Sequence, residues 1–272
     1  MIGLEESGAL MITIDLKCWY RGGLSVLAGL YASTLPSSTQ VTTETVRFWC
    51  RRREPCMIHP HTELRFINDK IGYGVVATQL IPRGTITWVR DEFDQAFSAM
   101  RLESMAPLYR DIAAKYCFVD VKGDYILCWD LARYVNHSCA PSCRSAGYDF
   151  ELAVRDIQPG EELTDDYGSL NLEYDFVCCC ASTLCREKIR PDDLLRYAGA
   201  WDLIVAEPFQ LIPTVPQPLW LLVKEKEVVE AVLANKMPRA SCRQNYYPGI
   251  MRRPFSPYLA DSSDGGGGLH GL

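Results

Sequence analysis

A chain of 272 residues that is 48% hydrophobic, 23% charged and 11% aromatic is too apolar for a disordered, collagen-like or mucin-like polypeptide. Its length suits one large domain or two small ones, and no run of about 18 uncharged apolar residues offers a membrane span. The net charge of −6 sits entirely in residues 63–190, which hold fourteen Lys/Arg against twenty Asp/Glu; such a region attracts a basic peptide and repels nucleic acid.

Residues 1–56 keep neither helical nor alternating periodicity. They read either as an extension upstream of a native start at Met57 or as an ordered N-terminal cap. The apolar stretch Leu24 to Leu35 is short, and it follows the acidic Glu5-Glu6 rather than the basic n-region of a secretory signal. A soluble, intracellular protein with no membrane contact is expected.

From Met57 onward short strands alternate with turns. Leu64–Ile67, Gly74–Thr78 and Thr85–Val89 are expected strands, with Pro82-Arg83-Gly84 as a turn. One helical stretch is expected over 94–114. Hairpins follow: Tyr116–Val121 with Tyr125–Trp129 about Lys122-Gly123-Asp124, then Cys143–Ala146 with Asp149–Arg155 about Gly147. After Pro191 the pattern turns helical. Leu194, Leu195, Ala198, Trp201 and Val205 form one apolar stripe, and Leu222, Val223, Val229, Val232 and Leu233 a second. Pro213, Pro216 and Pro218 separate the two. The glycine-rich tail, residues 261–272, is expected to be disordered.

The twelve cysteines include three in succession, at 178, 179 and 180. These cannot readily pair with one another, and Cys178-x-Cys180-x4-Cys185 reads as a zinc knuckle rather than a disulfide framework. Three further motifs join it: Gly72-Tyr73-Gly74 before a strand, Arg133-Tyr134-Val135-Asn136-His137-Ser138-Cys139, and Glu162-Leu163-Thr164-Asp165-Asp166-Tyr167-Gly168. Each alone has a bland reading, respectively a turn, a buried satisfied histidine and a solvated edge.

In this order the four motifs resemble the SET-domain protein lysine methyltransferases. The resemblance runs over residues 63–168, with a post-SET segment at 174–190. It implies a β-rich α+β fold, a β-clip with a pseudoknot-like threading of the Asn136-His137 segment, a post-SET zinc segment and a helical C-terminal extension over 191–260. It implies S-adenosyl-L-methionine bound by Gly72, Tyr73, Gly74, Arg133, Tyr134, Asn136, His137 and Tyr167. It also implies catalysis by Tyr167 with Tyr116 lining a lysine channel, and one structural zinc ion on Cys139, Cys178, Cys180 and Cys185, with Cys143 in reserve for Cys139. The substrate implied is a basic protein segment, histone-like, ribosomal or otherwise Lys-rich, with no direct nucleic-acid binding. The alternative is a catalytically inactive SET module that binds peptides or protein partners.

The residue types suit the chemistry. Methyl transfer needs a neutral amine, and free lysine has a pKa near 10.4; a dry aromatic channel disfavours the ammonium. A tyrosine hydroxyl can orient the amine without competing as a nucleophile. Two departures from the family pattern stand out: Thr87-Trp88-Val89-Arg90-Asp91 replaces Glu-Tyr-x-Gly-Glu, and Asp165 takes a position commonly aromatic.

Overall fold

The computed structural model describes residues 57–249 and, upstream, the two short paired strands β1 (Ile2–Leu4) and β2 (Leu10–Ile12). Otherwise, the expectations for residues 1–56 and 261–272 fall outside the described residues.

Strands β3 (Thr62–Asn68) and β4 (Gly72–Ala77) form a hairpin, followed by β5 (Ile86–Val89). The stretch 94–114 is not one helix. It opens with β6 (Gln95–Phe97), continues through the short α1 (Ala99–Glu103) and restarts as α2 (Pro107–Tyr116). Two local causes act. Ser98 caps α1 by accepting from Arg101 N at 3.2 Å. Pro107 holds Ala106 extended, at ψ 150°, and is well placed to open a new helix because it has no N–H to lose. Tyr116, expected in a strand, is instead the last helical residue, and the chain enters β7 (Cys117–Val119) directly.

The β7–β8 (Tyr125–Leu127) hairpin turns on Asp120, whose Oδ1 accepts from Lys122 N and Asp124 N at 2.9 and 3.0 Å. After β9 (Asn136–His137) come the hairpin β10 (Cys143–Ser145) with β11 (Phe150–Ala153), and then β12 (Glu162–Asp165). Three small sheets result, in the orders β10-β11-β5, β3-β4-β12-β9 and β6-β8-β7. β12 runs antiparallel to β4 but parallel to β9, pairing Thr164 with Asn136 and Asp165 with His137. That pairing lays the Asn-His segment beside the stretch leading to Tyr167. The β-rich SET fold implied by the motifs is the fold observed.

Between the sheets lies a core of Ile58, Val75, Ala77, Ile81, Ala153, Ile157 and Leu163. Strands β13 (Phe176–Val177) and β14 (Lys188–Ile189) then pair around the cysteine loop. The helix α3 (Asp193–Gln210) lays the predicted stripe inward, and Val205 and Phe209 join Ile86, Phe150 and Leu152 in a second core. Leu222 and Val223 are not helical as expected: Leu222 ends a 3-10 turn, and α4 (Lys226–Leu233) begins only at Lys226. α4 still buries Val229 and Val232 in that same core. The helical extension is thus part of the domain's packing, each large apolar side chain contributing roughly 1.5–3 kcal/mol.

Beyond α4 the chain returns across the domain. Cys242 N donates to Asp202 Oδ1 at 2.9 Å, Asn171 Nδ2 to Asn245 O at 2.8 Å, and Asn245 Nδ2 to Ser145 Oγ at 2.9 Å.

Candidate active site

Tyr167 opens a short 3-10 turn capped by Asp166, whose Oδ1 accepts from Gly168 N at 3.1 Å. Its backbone N–H donates to His137 Nδ1 at 3.1 Å and its hydroxyl to Val135 O at 3.0 Å. Its ring lies 5.3 Å from His137 and 5.9 Å from Phe176. Burial, with Asp165 and Glu162 nearby, raises the phenol above its ordinary range, so it stays a neutral donor.

A cavity of about 150 Å³ opens beside this residue, walled by Tyr167, Trp88, Phe118, Val135, Leu163 and Asn245 among others. Trp88 and Phe118 meet edge to face at 6.0 Å. Tyr116 is not among the lining residues; its ring packs 5.5 Å from Tyr134. The end of α2 at Tyr116 accounts for this, because Phe118 is the β7 aromatic that faces the cavity.

The expected cofactor residues fall on β4, on the 3-10 turn Leu131–Tyr134 and on β9. Gly72, at φ +81°, has open space where a side chain would stand. At Gly74 a Cβ would fall inside the Glu162 carboxylate and 2.9 Å from Asn136 Nδ2. Asn136 Nδ2 donates to Tyr73 O at 3.0 Å and to Glu162 Oε1 at 2.6 Å, tying β4, β9 and β12 together. Arg133 lies 6.0 Å from the Tyr134 ring. Its guanidinium donates to the Trp129 and Asp130 carbonyls. Gly74→Ala should therefore part Asn136 from Glu162 and lower cofactor affinity by about tenfold or more, the cost of roughly one such hydrogen-bonded link. Calorimetric titration with S-adenosyl-L-homocysteine measures it.

Four cysteines converge. Cys178 Sγ lies 3.8 Å from Cys139 Sγ and 3.6 Å from Cys185 Sγ, and Cys180 Sγ accepts from Cys139 N at 3.5 Å. Backbone N–H groups of Arg186 and Glu187 point at Cys139 Sγ and Cys185 Sγ, both at 3.3 Å. Burial raises the Cys180 thiol, but the N–H groups of Cys139 and Ser182 and the neighbouring thiols outweigh it and bring it to about 7. Cys143 belongs to the inter-sheet core, and Cys179 is exposed.

His137 Nε2 also reaches this cluster, 3.3 Å from Cys139 Sγ. Its other nitrogen accepts the Tyr167 N–H, so the neutral ring carries its proton on Nε2 and donates it toward the sulfur. Burial holds the ring neutral, lowering its pKa to about 4 against the pull of Asp166. A nitrogen that bears a proton has no lone pair for a metal. Sulfur donors brought within 3.6–3.8 Å of Cys178 Sγ and fed by backbone N–H groups suit zinc.

Arg186 bridges this cluster to Tyr167. Its guanidinium donates to both oxygens of the fully buried Asp166, which also accepts from Arg144 at 3.2 Å. Breaking such a buried pair costs far more than breaking a surface one. Sequence reading singled out neither Arg186 nor Phe118, Glu151 and Phe176. Trp88 showed only as a departure from the family pattern.

A profile of the SET domain matches residues 72–168. The chain is similar to "Histone-lysine N-methyltransferase Set2" of Drosophila melanogaster, 28% identical over 52% of this chain and 6% of that protein. "Histone-lysine N-methyltransferase ASHH3" of Arabidopsis thaliana is 27% identical over 55% of this chain and 45% of its own length. "Histone-lysine N-methyltransferase, H3 lysine-4 specific" of Schizosaccharomyces pombe is 39% identical over 21% of this chain and 7% of its own. The matches thus span less than half the length of each of these relatives. No helix among the described residues is long and apolar enough to cross a membrane. With the sheet order, the β9–β12 threading and the motif positions, these matches show a SET domain over residues 72–168 and a similarity to histone-lysine N-methyltransferases.

Proposed function

We propose that the chain is an S-adenosyl-L-methionine-dependent protein-lysine N-methyltransferase acting on a basic protein segment. The observation that carries this reading is the Tyr167 hydroxyl, held by Val135 O in the wall of an aromatic cavity. S-adenosyl-L-methionine, when bound, supplies the methyl group. Gly72, Tyr73, Gly74, Arg133, Tyr134, Asn136 and His137 would hold it beside the Gly72–Gly74 end of β4, with Tyr167 beside it. Trp88 and Phe118 exclude water and favour the uncharged amine. The Tyr167 hydroxyl aligns that amine, and most of the acceleration comes from holding the reactants in line. One structural zinc on Cys139, Cys178, Cys180 and Cys185 would clamp Phe176 and Arg186 against the Tyr167 turn. Histone-like proteins are the first candidates as substrate, in keeping with the names of the relatives and the acidic excess of residues 63–190.

Labelled methyl incorporation into a panel of basic proteins tests the reading. Lysine-specific incorporation is expected, with KM rising several-fold between about 50 and 300 mM salt as charge attraction is screened. A folded, zinc-loaded chain that labels none of them would overturn it and favour the peptide-binding module.

A further inference from the structure

The cavity beside Tyr167 contains two carboxyl groups that the proposed mechanism does not use. Glu151 stands in β11 opposite Trp88 of β5, and Asp165 ends β12 two residues before Tyr167. Both line the cavity. Glu151 Oε2 is shut off from solvent and has no hydrogen-bond partner among the described residues. Asp165 is only 7% exposed; its Oδ1 accepts from Asp166 N at 2.6 Å, and its other oxygen has no donor among the described residues. Trp88 Nε1, in the same wall, is also buried without a partner.

Buried polar atoms are almost always paired, because an unpaired one forfeits its hydration. The nearby cation acts on the pair through its charge but bonds neither carboxyl: Arg144 Nη2 donates to Asp166, its guanidinium lies over the face of Trp201, and its Nε has no partner among the described residues. Two carboxyls lining one cavity do not ionise independently, and the charge of one raises the other, so the pair holds its last proton more firmly than either carboxyl alone would. Burial and the Asp165 charge raise Glu151 well above the carboxylate range, and burial, opposed by the Asp166 N–H and Arg144, raises Asp165 to about 7. Tyr167, Cys143, Cys128, Tyr148, Arg90, Asp120 and Asp149 line the same cavity; burial keeps Tyr167, Cys143 and Cys128 protonated, and Arg90 is paired with Asp120 at 3.0 Å.

We propose that Glu151 and Asp165 form an acidic floor that binds the substrate as a primary alkylammonium and takes its proton. The Nζ–H bond breaks, the proton passes to a carboxylate oxygen and the electron pair stays on nitrogen. One positive and one negative charge thus become a neutral amine and a neutral pair beside the Tyr167 hydroxyl. The carboxyl later returns the proton to solvent. An ammonium offers three donors, which match the free oxygens of the pair and the lone pair of Tyr167. This rests on the lysine reading above but concerns how the amine arrives and loses its charge.

The test is calorimetric titration of the full chain with n-butylammonium, 1-butanol and n-butylguanidinium. The wild-type chain should bind n-butylammonium about tenfold or more tighter than the other two at pH 8. That affinity should fall about tenfold by pH 6, as the pair gains its second proton through about pH 7. Glu151→Gln and Asp165→Asn should bring n-butylammonium and 1-butanol within about threefold. Equal binding of n-butylammonium and 1-butanol, no pH dependence, or preference for the guanidinium would overturn the proposal, and the wild-type arms suffice if either variant fails to fold. Methyl-transfer profiles separate this proposal from the reading it rests on. A bell-shaped kcat/KM with limbs near 7 and 10.4, whose acid limb moves toward the lysine value in Asp165→Asn, supports the floor. Methyl transfer with one profile in wild type and variants refutes the floor alone. Pair-dependent n-butylammonium binding with no methyl transfer to any protein refutes the lysine reading while supporting the cation site.

Discussion

Tyr167→Phe should lower kcat by about 10²- to 10³-fold, the usual cost of losing one preorganised donor at a reacting centre. Affinity for S-adenosyl-L-homocysteine should stay within about threefold, because the hydroxyl bonds Val135 O in the cavity wall while most residues proposed to hold the cofactor lie on β4 and the 133–137 segment. The backbone N–H that fixes His137 survives the change. Stability should fall by only about 1–3 kcal/mol, the penalty of one unmet buried carbonyl. Single-turnover kinetics beside calorimetry separates the quantities. Wild-type turnover in the variant on every substrate tested would remove Tyr167 from the chemistry.

Cys139→Ser should have the second large effect. Outer-shell changes at metal sites typically cost 10- to 100-fold in affinity; losing a ligand should exceed that, so zinc affinity should fall by more than about 100-fold. The consequence reaches the site through one side chain. Arg186 N donates to Cys139 Sγ and its guanidinium holds Asp166, so a loosened cluster strips partners from a buried carboxylate next to Tyr167. Proteolysis should then open the 176–189 segment, and cofactor affinity and turnover should fall together. Cys143→Ser and Cys179→Ser should keep one zinc per chain, since neither sulfur joins the cluster. Because the thiols must deprotonate to bind, zinc loading should weaken as pH falls. A zinc-free preparation with full methyl transfer would refute this account.

What the sequence revealed and what it hid differ in kind. Strands bounded by turn residues were readable, as were the motif segments, because each carries its signal within a few consecutive residues. The break at Ala106-Pro107 was also written locally, yet a helical pattern on both sides masked it. The cavity was not legible. Glu151 on β11 reads as an ordinary polar position of a strand; only its register opposite Trp88 and the arrival of Asp165 on β12 make it part of a buried pair. Phe176 and Arg186 owe their roles to the same kind of long-range placement. Tyr116 shows the reverse case: a residue type suited to a channel, whose ring the last turn of a helix carries to Tyr134.

The parallel pairing of β9 with β12 has a kinetic consequence. The β9–β12 pairing itself gains nothing until the chain between them, with its hairpin, has closed a long loop, and that entropy must be spent before this reward arrives. Cys139 lies just beyond β9, while its three sulfur neighbours follow β12 by a further stretch. The full set of sulfurs thus joins segments from both sides of the threading. A zinc ion held there would act as a latch across that topology, and a chain made before metal reached it would hold its sheets while leaving its C-terminal clasp undone.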